Sequence, residues 1–175
     1  MIPFRQLLHD APDIAVPIEG RLRSAGLALL GTVRVDGSPR VSPVEITFHE
    51  GGLLVGMMPA SRKLADVRRD PRVCLLTALA NTADLGGEGK LSGQLRTVAP
   101  QEAAAVLRVA ASAGGFDVEA LGDAPVFELV VEEASWQYVA DDTFHSRSWR
   151  VGGGSRHRIR VGAAGLPVDV DDDEQ

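Results

Sequence analysis

Two adjacent cations, Arg62 and Lys63, directly follow Ser61 at the point where a predicted helix begins. Ser61 stands where a helix N-cap belongs, so free backbone N–H groups and two positive side chains meet there. Cations in a first turn are unfavourable by about 0.3–1 kcal/mol each, because the helix dipole is positive at that end. A bound anion would reverse this penalty, so the pattern indicates a phosphate site. The alternative is that both side chains are solvated or paired with Asp66 or Asp70.

A second cationic cluster lies near the C-terminus of an otherwise acidic chain. Five cationic or titratable side chains fall within eleven residues and follow a tryptophan: Trp149, then Arg150, Arg156, His157, Arg158 and Arg160. Such a local positive patch suits a polyanionic ligand. The alternative is a surface strand whose arginines are solvated, with Trp149 in the core.

Other patterns of catalytic or metal sites fail on the residues present. The segment G-G-E-G-K-L at 86–91 is similar to a P-loop, but Asp84 occupies the first glycine position and Leu91 replaces the required Ser or Thr. The four histidines lack H-x-x-x-H spacing and the chain has one cysteine, which argues against a structural zinc site. A G-x-S-x-G motif is absent, so a serine hydrolase has no support. The sequence therefore predicts no metal site.

The composition is that of a globular protein and argues against several classes of partner. The chain has 175 residues, 45% of them hydrophobic, and a net charge of −6, which argues against nucleic-acid binding. No stretch approaches the roughly 18 apolar residues that span a bilayer, and the N-terminus lacks a signal-peptide core. Cys74 lies in an apolar run, which favours a reducing compartment. We expect a cytoplasmic protein with one domain over residues 1–165 and a disordered acidic tail over 166–175.

Helices and hairpins alternate in the first part of the chain. Asp13 is the predicted cap of a helix that ends at Gly26, and strands follow over 27–35, 40–48 and 53–58. Asp36-Gly37 predicts a two-residue hairpin, and Pro43 inside a strand predicts a bulge or a sheet edge. Three strands joined by short turns predict an antiparallel sheet.

The rest of the chain continues this pattern. We predict a helix from Ser61 to the Pro71 stop, strands over 72–79 and 90–98 around a polar loop at 80–89, and a helix from Pro100 to Gly114-Gly115. A last hairpin covers 126–139 and 143–151, followed by a flexible hinge at 152–154. The sequence thus predicts a mainly β (α+β) fold, an antiparallel six- to seven-stranded β-barrel with peripheral helices.

Three groups of residues, in this order, carry a resemblance to a known family. They are Arg40 on the second strand, Ser61-Arg62-Lys63 opening a helix, and Asp70-Pro71-Arg72-Val73 leading into the next strand. The chain resembles the pyridoxamine 5′-phosphate oxidase-like flavin-binding split barrels over residues 27–98, and more loosely in the C-terminal strand. The resemblance implies a homodimeric split barrel with FMN, or a deazaflavin coenzyme, at the subunit interface.

The resemblance also implies roles for individual residues at the phosphate end. Arg62 and Lys63 would hold the cofactor phosphate, with Ser61 beside it as helix cap. Met57 and Met58 stand where the family often has an aromatic–hydroxyl pair, so a hydroxyl contact to the phosphate is missing.

Further roles follow at the ring end. Arg40 would lie against the flavin ring or its phosphate arm, and backbone groups near Ser42 and Val44 would line the ring edge. Glu45 stands near a position where the oxidases have a lysine. Trp149 corresponds to the tryptophan that precedes the C-terminal arginine pattern of the oxidases, so the resemblance places it among the cofactor-binding residues.

The C-terminal run departs from the family pattern. The oxidases have Arg-x-His-x-Arg, whereas the alternate positions here are Arg156, Arg158 and Arg160. We therefore predict no vitamin B6 oxidation, and assign these arginines to a substrate or to the anionic tail of a deazaflavin.

The implied activity is hydride transfer between the flavin and a small planar conjugated substrate, with no side chain acting as acid or base. Two alternatives stay open. One is a non-catalytic carrier of a flavin, a haem or another planar ligand. The other is a dimeric structural protein without a small ligand.

Overall fold

A computed structural model describes residues 1–77, 86–114, 124–162 and 165–170. The predicted loop at 80–89 and the predicted helix end at Gly115 lie partly or wholly outside these residues. The strands are β1 (Ile2–Pro3), β2 (Leu27–Val33), β3 (Pro39–His49), β4 (Gly52–Gly56), β5 (Arg72–Thr77), β6 (Glu88–Thr97), β7 (Val126–Ala140), β8 (Thr143–Arg150), β9 (Gly154–Val161) and β10 (Val168–Val170). The helices are α1 (Phe4–Asp10), α2 (Pro12–Ala25), α3 (Arg62–Arg69) and α4 (Pro100–Gly114).

Six of the strands close into an antiparallel barrel, which confirms the predicted fold class. The order around the barrel is β7, β4, β3, β2, β5 and β6, and β6 pairs with β7 to complete the ring. Alternate residues of each strand point inward and form the core, as the period of two in a strand requires. The sheet continues beyond β7 through β8, β9 and β10, so the described part of the chain has more strands than the predicted seven.

Helices α1 and α2 complete the core of the barrel. Their buried apolar side chains, Phe4, Leu7, Ile14, Ile18 and Leu22, belong to the same cluster as the inward-facing strand residues. The predicted cap at Asp13 is wrong, because α2 begins at Pro12 and its N-cap, Ala11, lies two residues before Asp13 and makes no side-chain cap hydrogen bond. The predicted end at Gly26 is confirmed, since this glycine adopts the left-handed conformation at φ 66°.

The loop of the first hairpin is one residue longer than predicted. The Gly37 N–H donates to the Arg34 carbonyl at 2.9 Å, and the Arg34 N–H donates to the Ser38 carbonyl at 2.9 Å. Gly37 alone in the loop has a positive φ, of 82°. A two-residue type I′ turn would need positive φ at Asp36 as well, so the chain forms a three-residue loop.

Pro43 lies on an open edge, as predicted. β3 pairs with β2 from Pro39 to Glu45, and with β4 only from Ile46 to His49. The first half of β3 therefore has no second strand partner within the described residues, and a residue without N–H is tolerated there.

The C-terminal region is more ordered than the sequence predicted. Asp141 and Asp142 both have positive φ and turn β7 into β8. The predicted hinge at 152–154 is instead a tight turn between β8 and β9, in which the Gly153 N–H donates to the Arg150 carbonyl at 2.9 Å. Within the predicted disordered tail, Val168–Val170 pairs with β9, and residues 171–175 lie outside the described residues.

None of the helices in the described residues is both long enough and apolar enough to cross a membrane.

Candidate functional site

Helix α3 begins where the capping pattern predicted. The Ser61 Oγ accepts the N–H of Leu64 at 3.4 Å, and its extended backbone places it outside the helix. Leu64 and Val67 are buried against the barrel, which fixes the helix on the sheet. The chain leaves the helix at Asp70 and enters β5 through Pro71. The two cations are therefore presented from the first turn of a rigidly packed helix.

Neither of these cations is paired with a carboxylate of its own helix. The Lys63 Nζ donates to the Pro43 carbonyl at 2.9 Å, on the open edge of β3. Arg62 is exposed and has no hydrogen bond or ion pair among the described residues. The Asp66 carboxylate instead bonds Arg40, and that of Asp70 bonds Arg72 at 2.6 Å, which holds the pKa of Asp70 at about 2. Pairing with Asp66 or Asp70, one of the alternatives to an anion site, is therefore wrong for both cations.

A cavity of about 530 Å³ adjoins this helix start. Four of the predicted site residues line it, namely Val44, Met57, Met58 and Lys63. The remaining walls are mostly apolar and come from β2, β3, β4, α4 and the approach to β7: Leu27, Pro43, Glu45, Thr47, Gly56, Val106, Leu107, Ala110, Ala124 and Val126. A volume of this size lies in the range of about 300–1,000 Å³ that is typical of small-molecule sites.

The cavity combines a mostly apolar interior with one cation and one carboxylate in its lining. Met57 is almost fully buried, whereas Met58 is 62% exposed at the mouth. Glu45 is the one acidic lining residue, and Lys63 is the one basic lining residue. Such a site suits a planar apolar ring whose anionic group points towards α3.

Arg40 and Ser42 do not line this cavity. The Arg40 Nε donates to Asp66 Oδ2 at 2.7 Å, and its side chain is only 19% exposed. The Thr32 hydroxyl donates to the same carboxylate oxygen at 3.0 Å. These contacts, that with Arg40 foremost, hold the pKa of Asp66 below its ordinary value. Arg40 therefore ties β3 to α3, and the sequence offered no signal that it would pair with a residue 26 positions away.

Trp149 is mostly buried in the core and also lines a cavity to which Arg156 contributes. Trp149 is 7% exposed, belongs to the core cluster and lies opposite Ala134 on β7. Strand alternation turns its side chain to the opposite face from Arg150 and Ser148.

The three arginines at alternate positions of β9 share one face of the sheet. Arg156 lines a second cavity, of about 510 Å³, with Lys90, Arg150 and four serines. Arg158 and Arg160 line a third, smaller one of about 180 Å³, and the Arg160 guanidinium lies 5.3 Å from the Phe144 ring centre. The cavities share no lining residue with the one beside α3. The predicted site residues thus form two separate groups within this protomer.

Two features of the site region were missed at the sequence level. One is the location of α4, a helix that was predicted but whose Val106, Leu107 and Ala110 were not expected to line the first cavity. The other is a histidine pair behind the arginine face, in which His145 Nδ1 and His157 Nε2 lie 3.1 Å apart. In the sequence, the pair is indicated only by the alternation of residues along β8 and β9, which places the two histidines on one face of the sheet.

A family model agrees with the architecture of the chain. The model of the family described as pyridoxamine 5′-phosphate oxidase matches residues 18–138. This range includes β2 to β6, α3, α4 and most of β7. None of the curated proteins compared with the chain matches it.

Several solved structures share the fold at low sequence identity. A conserved hypothetical protein of Mycobacterium tuberculosis is 20% identical, with 68% of this chain and 81% of that chain covered and a TM-score of 0.60. The haem storage protein HutZ of Vibrio cholerae is 17% identical, with 70% of this chain and 90% of that chain covered and a TM-score of 0.57. A Clostridium acetobutylicum protein of the pyridoxinephosphate oxidase family, related to a general stress protein, is 12% identical. The match covers 85% of this chain and 96% of that chain, with a TM-score of 0.58. At these identities the likeness shows the fold alone.

Proposed function

The chain belongs to the pyridoxamine 5′-phosphate oxidase family, and we propose that it is a flavin-binding oxidoreductase. Its cofactor is FMN or a deazaflavin coenzyme, and its substrate is a small planar conjugated molecule. The observation that carries this proposal is the cavity of about 530 Å³ beside the α3 start, which is lined mostly by apolar residues and includes the Lys63 side chain of that helix start.

The helix start fits the phosphate of such a cofactor. Arg62 and Lys63 add positive charge to the free N–H groups of the first turn, and Ser61 orders that turn as its cap. Charge-assisted hydrogen bonds from these side chains contribute about 1.5–3 kcal/mol each, which outweighs their unfavourable position on the helix dipole. The bond from Lys63 to Pro43 costs little to exchange, because both groups lie at the surface.

The apolar walls fit the ring of the cofactor. Val44, Met57 and the α4 side chains Val106 and Leu107 would pack on it and exclude water. The bound flavin would supply the hydride chemistry itself. The chain's own residues bind and orient it, and Arg40 acts through Asp66 by holding β3 and α3 at a fixed separation.

We propose a homodimer that joins the two groups of site residues. The outer face of β2 and β3 exposes Leu27, Leu29 and Val41 beside the unpaired half of β3, which is typical of a protein interface. A partner protomer on this face would bring its arginines at 156, 158 and 160 towards the substrate or the anionic cofactor tail. Each cofactor site of the dimer would then contain residues of both protomers.

Titration with the cofactors tests the proposal. The purified protein is titrated separately with FMN and with a deazaflavin coenzyme, following ring fluorescence and the thermal midpoint. We expect one of them to bind and to be reduced and reoxidised in the protein. Absence of a thermal shift with either would favour a structural protein without a small ligand.

The phosphate assignment has its own variants. Replacing Arg62 and Lys63 by alanine should weaken FMN binding at least tenfold, because two charged partners of the phosphate are lost. Arg68→Ala is the matched control, since it removes an exposed cation from the last turn of the same helix. Unchanged affinity in the double variant, or an equal loss in the control, would contradict the assignment.

A non-catalytic carrier of a planar ligand is the second candidate. HutZ, which shares the fold, is described as a haem storage protein. Met57 and Met58 would offer thioether sulfurs to a haem iron in the same cavity. Haem binding that displaces FMN, or bound FMN that NAD(P)H and reduced deazaflavin both fail to reduce, would favour this candidate.

A further inference from the structure

The arginine row of β9, which consists of Arg156, Arg158 and Arg160, is contacted by the chain's own C-terminal strand. β10 pairs antiparallel with β9, and Asp169 lies directly opposite Arg158. The Arg158 Nε donates to Asp169 Oδ1 at 2.8 Å, and the Arg156 Nε lies 3.9 Å from the same oxygen. One carboxylate of the C-terminal segment thus neutralises part of the row.

The row would otherwise be strongly positive. Lys90, which lines the same cavity as Arg156, adds a further cation beside the row. The neighbouring Arg150 is already paired with Glu133 at 2.8 Å. The Arg158 guanidinium holds the pKa of Asp169 below its ordinary value, so the carboxylate stays ionised at neutral pH. Several aligned cations on one face attract a ligand with several negative oxygens in line.

The strand that carries Asp169 is held weakly. β10 has three residues, and its Val168 side chain is 59% exposed. Leu166, just before it, is 85% exposed, so little apolar surface is buried by this segment. Asp169 itself is 62% exposed in its side chain, where an ion pair is screened by water and salt. A strand with so few contacts can separate from β9 without unfolding the barrel.

We propose that the C-terminal strand is an internal competitor, in which Asp169 occupies the arginine row of β9 and lowers its affinity for a polyanionic ligand. The inference rests on the proposed role of this row in binding the anionic part of a substrate or cofactor. Because the competitor belongs to the same chain, its effective concentration is high and constant. A ligand with more negative groups than Asp169 displaces it, which selects for long polyanions over single carboxylates.

The experiment compares full-length variants in binding to inorganic triphosphate and, separately, to a tetraglutamate peptide, by calorimetry at low salt. Asp169→Asn should bind the preferred polyanion about two- to fivefold more tightly than the natural chain, the range expected for loss of one exposed ion pair. Asp36→Asn is the matched control, with the same charge change at an exposed hairpin. Arg158→Ala in the Asp169→Asn background should abolish the gain.

Each outcome separates the competitor from the cofactor proposal. Equal affinities of Asp169→Asn and the natural chain, or an equal gain in Asp36→Asn, would overturn the inference. So would failure of both polyanions to bind any variant, even if FMN binds normally. Tighter polyanion binding by Asp169→Asn without FMN binding would support the competitor and overturn the cofactor assignment. Asp169→Lys, which reverses the charge, should give a larger gain and provides a second variant.

Discussion

At the scale of single residues, the helix cap and the two cations behind it determine what can bind beside α3. Ser61 orders the first turn, and Lys63 reaches the open edge of β3 at Pro43. Arg62 remains exposed. A capped helix start with unneutralised cations attracts an anion, and no carboxylate of α3 competes for them.

Two substitutions of Ser61 separate capping from anion binding. Ser61→Ala should destabilise the protein by about 1 kcal/mol, because the Leu64 N–H loses its partner. Ser61→Asp keeps a good cap and should leave the thermal midpoint almost unchanged. Its added negative charge should nevertheless weaken FMN binding at least tenfold, as measured by fluorescence titration. Normal FMN affinity in Ser61→Asp would show that the phosphate lies elsewhere.

Asp66 is the residue on which the position of α3 depends. Asp66→Ala should cost about 3–5 kcal/mol, because it leaves the mostly buried guanidinium of Arg40 without its counter-charge. Since the pKa of Asp66 is lowered, its contribution is present above pH 3.8 and is lost as the pH falls below that value. Urea unfolding at pH 7 and pH 3 measures both effects. Asp70→Ala, which removes the partner of an exposed arginine, is the control and should change stability much less.

At the scale of elements, the β8–β9 hairpin combines an arginine face with a histidine face. His145 Nδ1 and His157 Nε2 lie 3.1 Å apart, and the Tyr138 ring stacks on His145 with 4.6 Å between ring centres. Arg147 on the same face is bonded to Asp13 of α2 at 2.8 Å. One imidazole of such a pair donates and the other accepts, so the hydrogen bond is broken when both are protonated.

The histidine pair predicts lower stability in mild acid. Burial, and then the nearby His157 and Arg147, lower the pKa of His145, while Asp141 opposes this. The unfolded chain therefore takes up the proton first, and stability should fall as the pH drops below about 6.5. The urea midpoint is compared at pH 7.5 and 5.5 for the natural chain and His145→Phe, which keeps the stacking on Tyr138. An equally large fall in the variant would contradict the role of His145.

At the scale of the whole molecule, the barrel separates the proposed site residues into two groups. The cavity beside α3 and the arginine face of β9 share no lining residue within one protomer. The exposed apolar face of β2 and β3 lies next to the open edge of the sheet. The proposed function therefore depends on assembly, because one protomer presents the two groups at separate places.

Assembly is tested by a matched pair of charge substitutions. Val41 on β3 and Val161 at the end of β9 are each 66% exposed, so lysine at either position is tolerated by the fold. Val41→Lys should produce monomers and weaken FMN binding, because it places a charge in the proposed interface. Val161→Lys should remain dimeric with normal affinity. Sedimentation velocity gives the oligomeric state, and a dimeric Val41→Lys variant would place the interface on another face.

The sequence alone was sufficient for features that depend on neighbours along the chain. The cap at Ser61, the stop at Pro71, the left-handed Gly26 and the period of two in the strands are local, and the structure confirms each of them. The order Arg40, Ser61-Arg62-Lys63 and Asp70-Pro71 also identified the family correctly. Local hydrogen bonds and steric limits decide such features, so they can be predicted from a short stretch of chain.

Only the tertiary structure decided which distant residues meet. The pairing of Arg40 with Asp66, the burial of Trp149, the α4 wall of the cavity and the contact of Asp169 with Arg158 all depend on strand register and barrel closure. These arrangements minimise unpaired buried charge and exposed apolar surface over the whole chain at once. A local pattern carries no information about them, because the same arginine or tryptophan satisfies its local rules on either face of a strand.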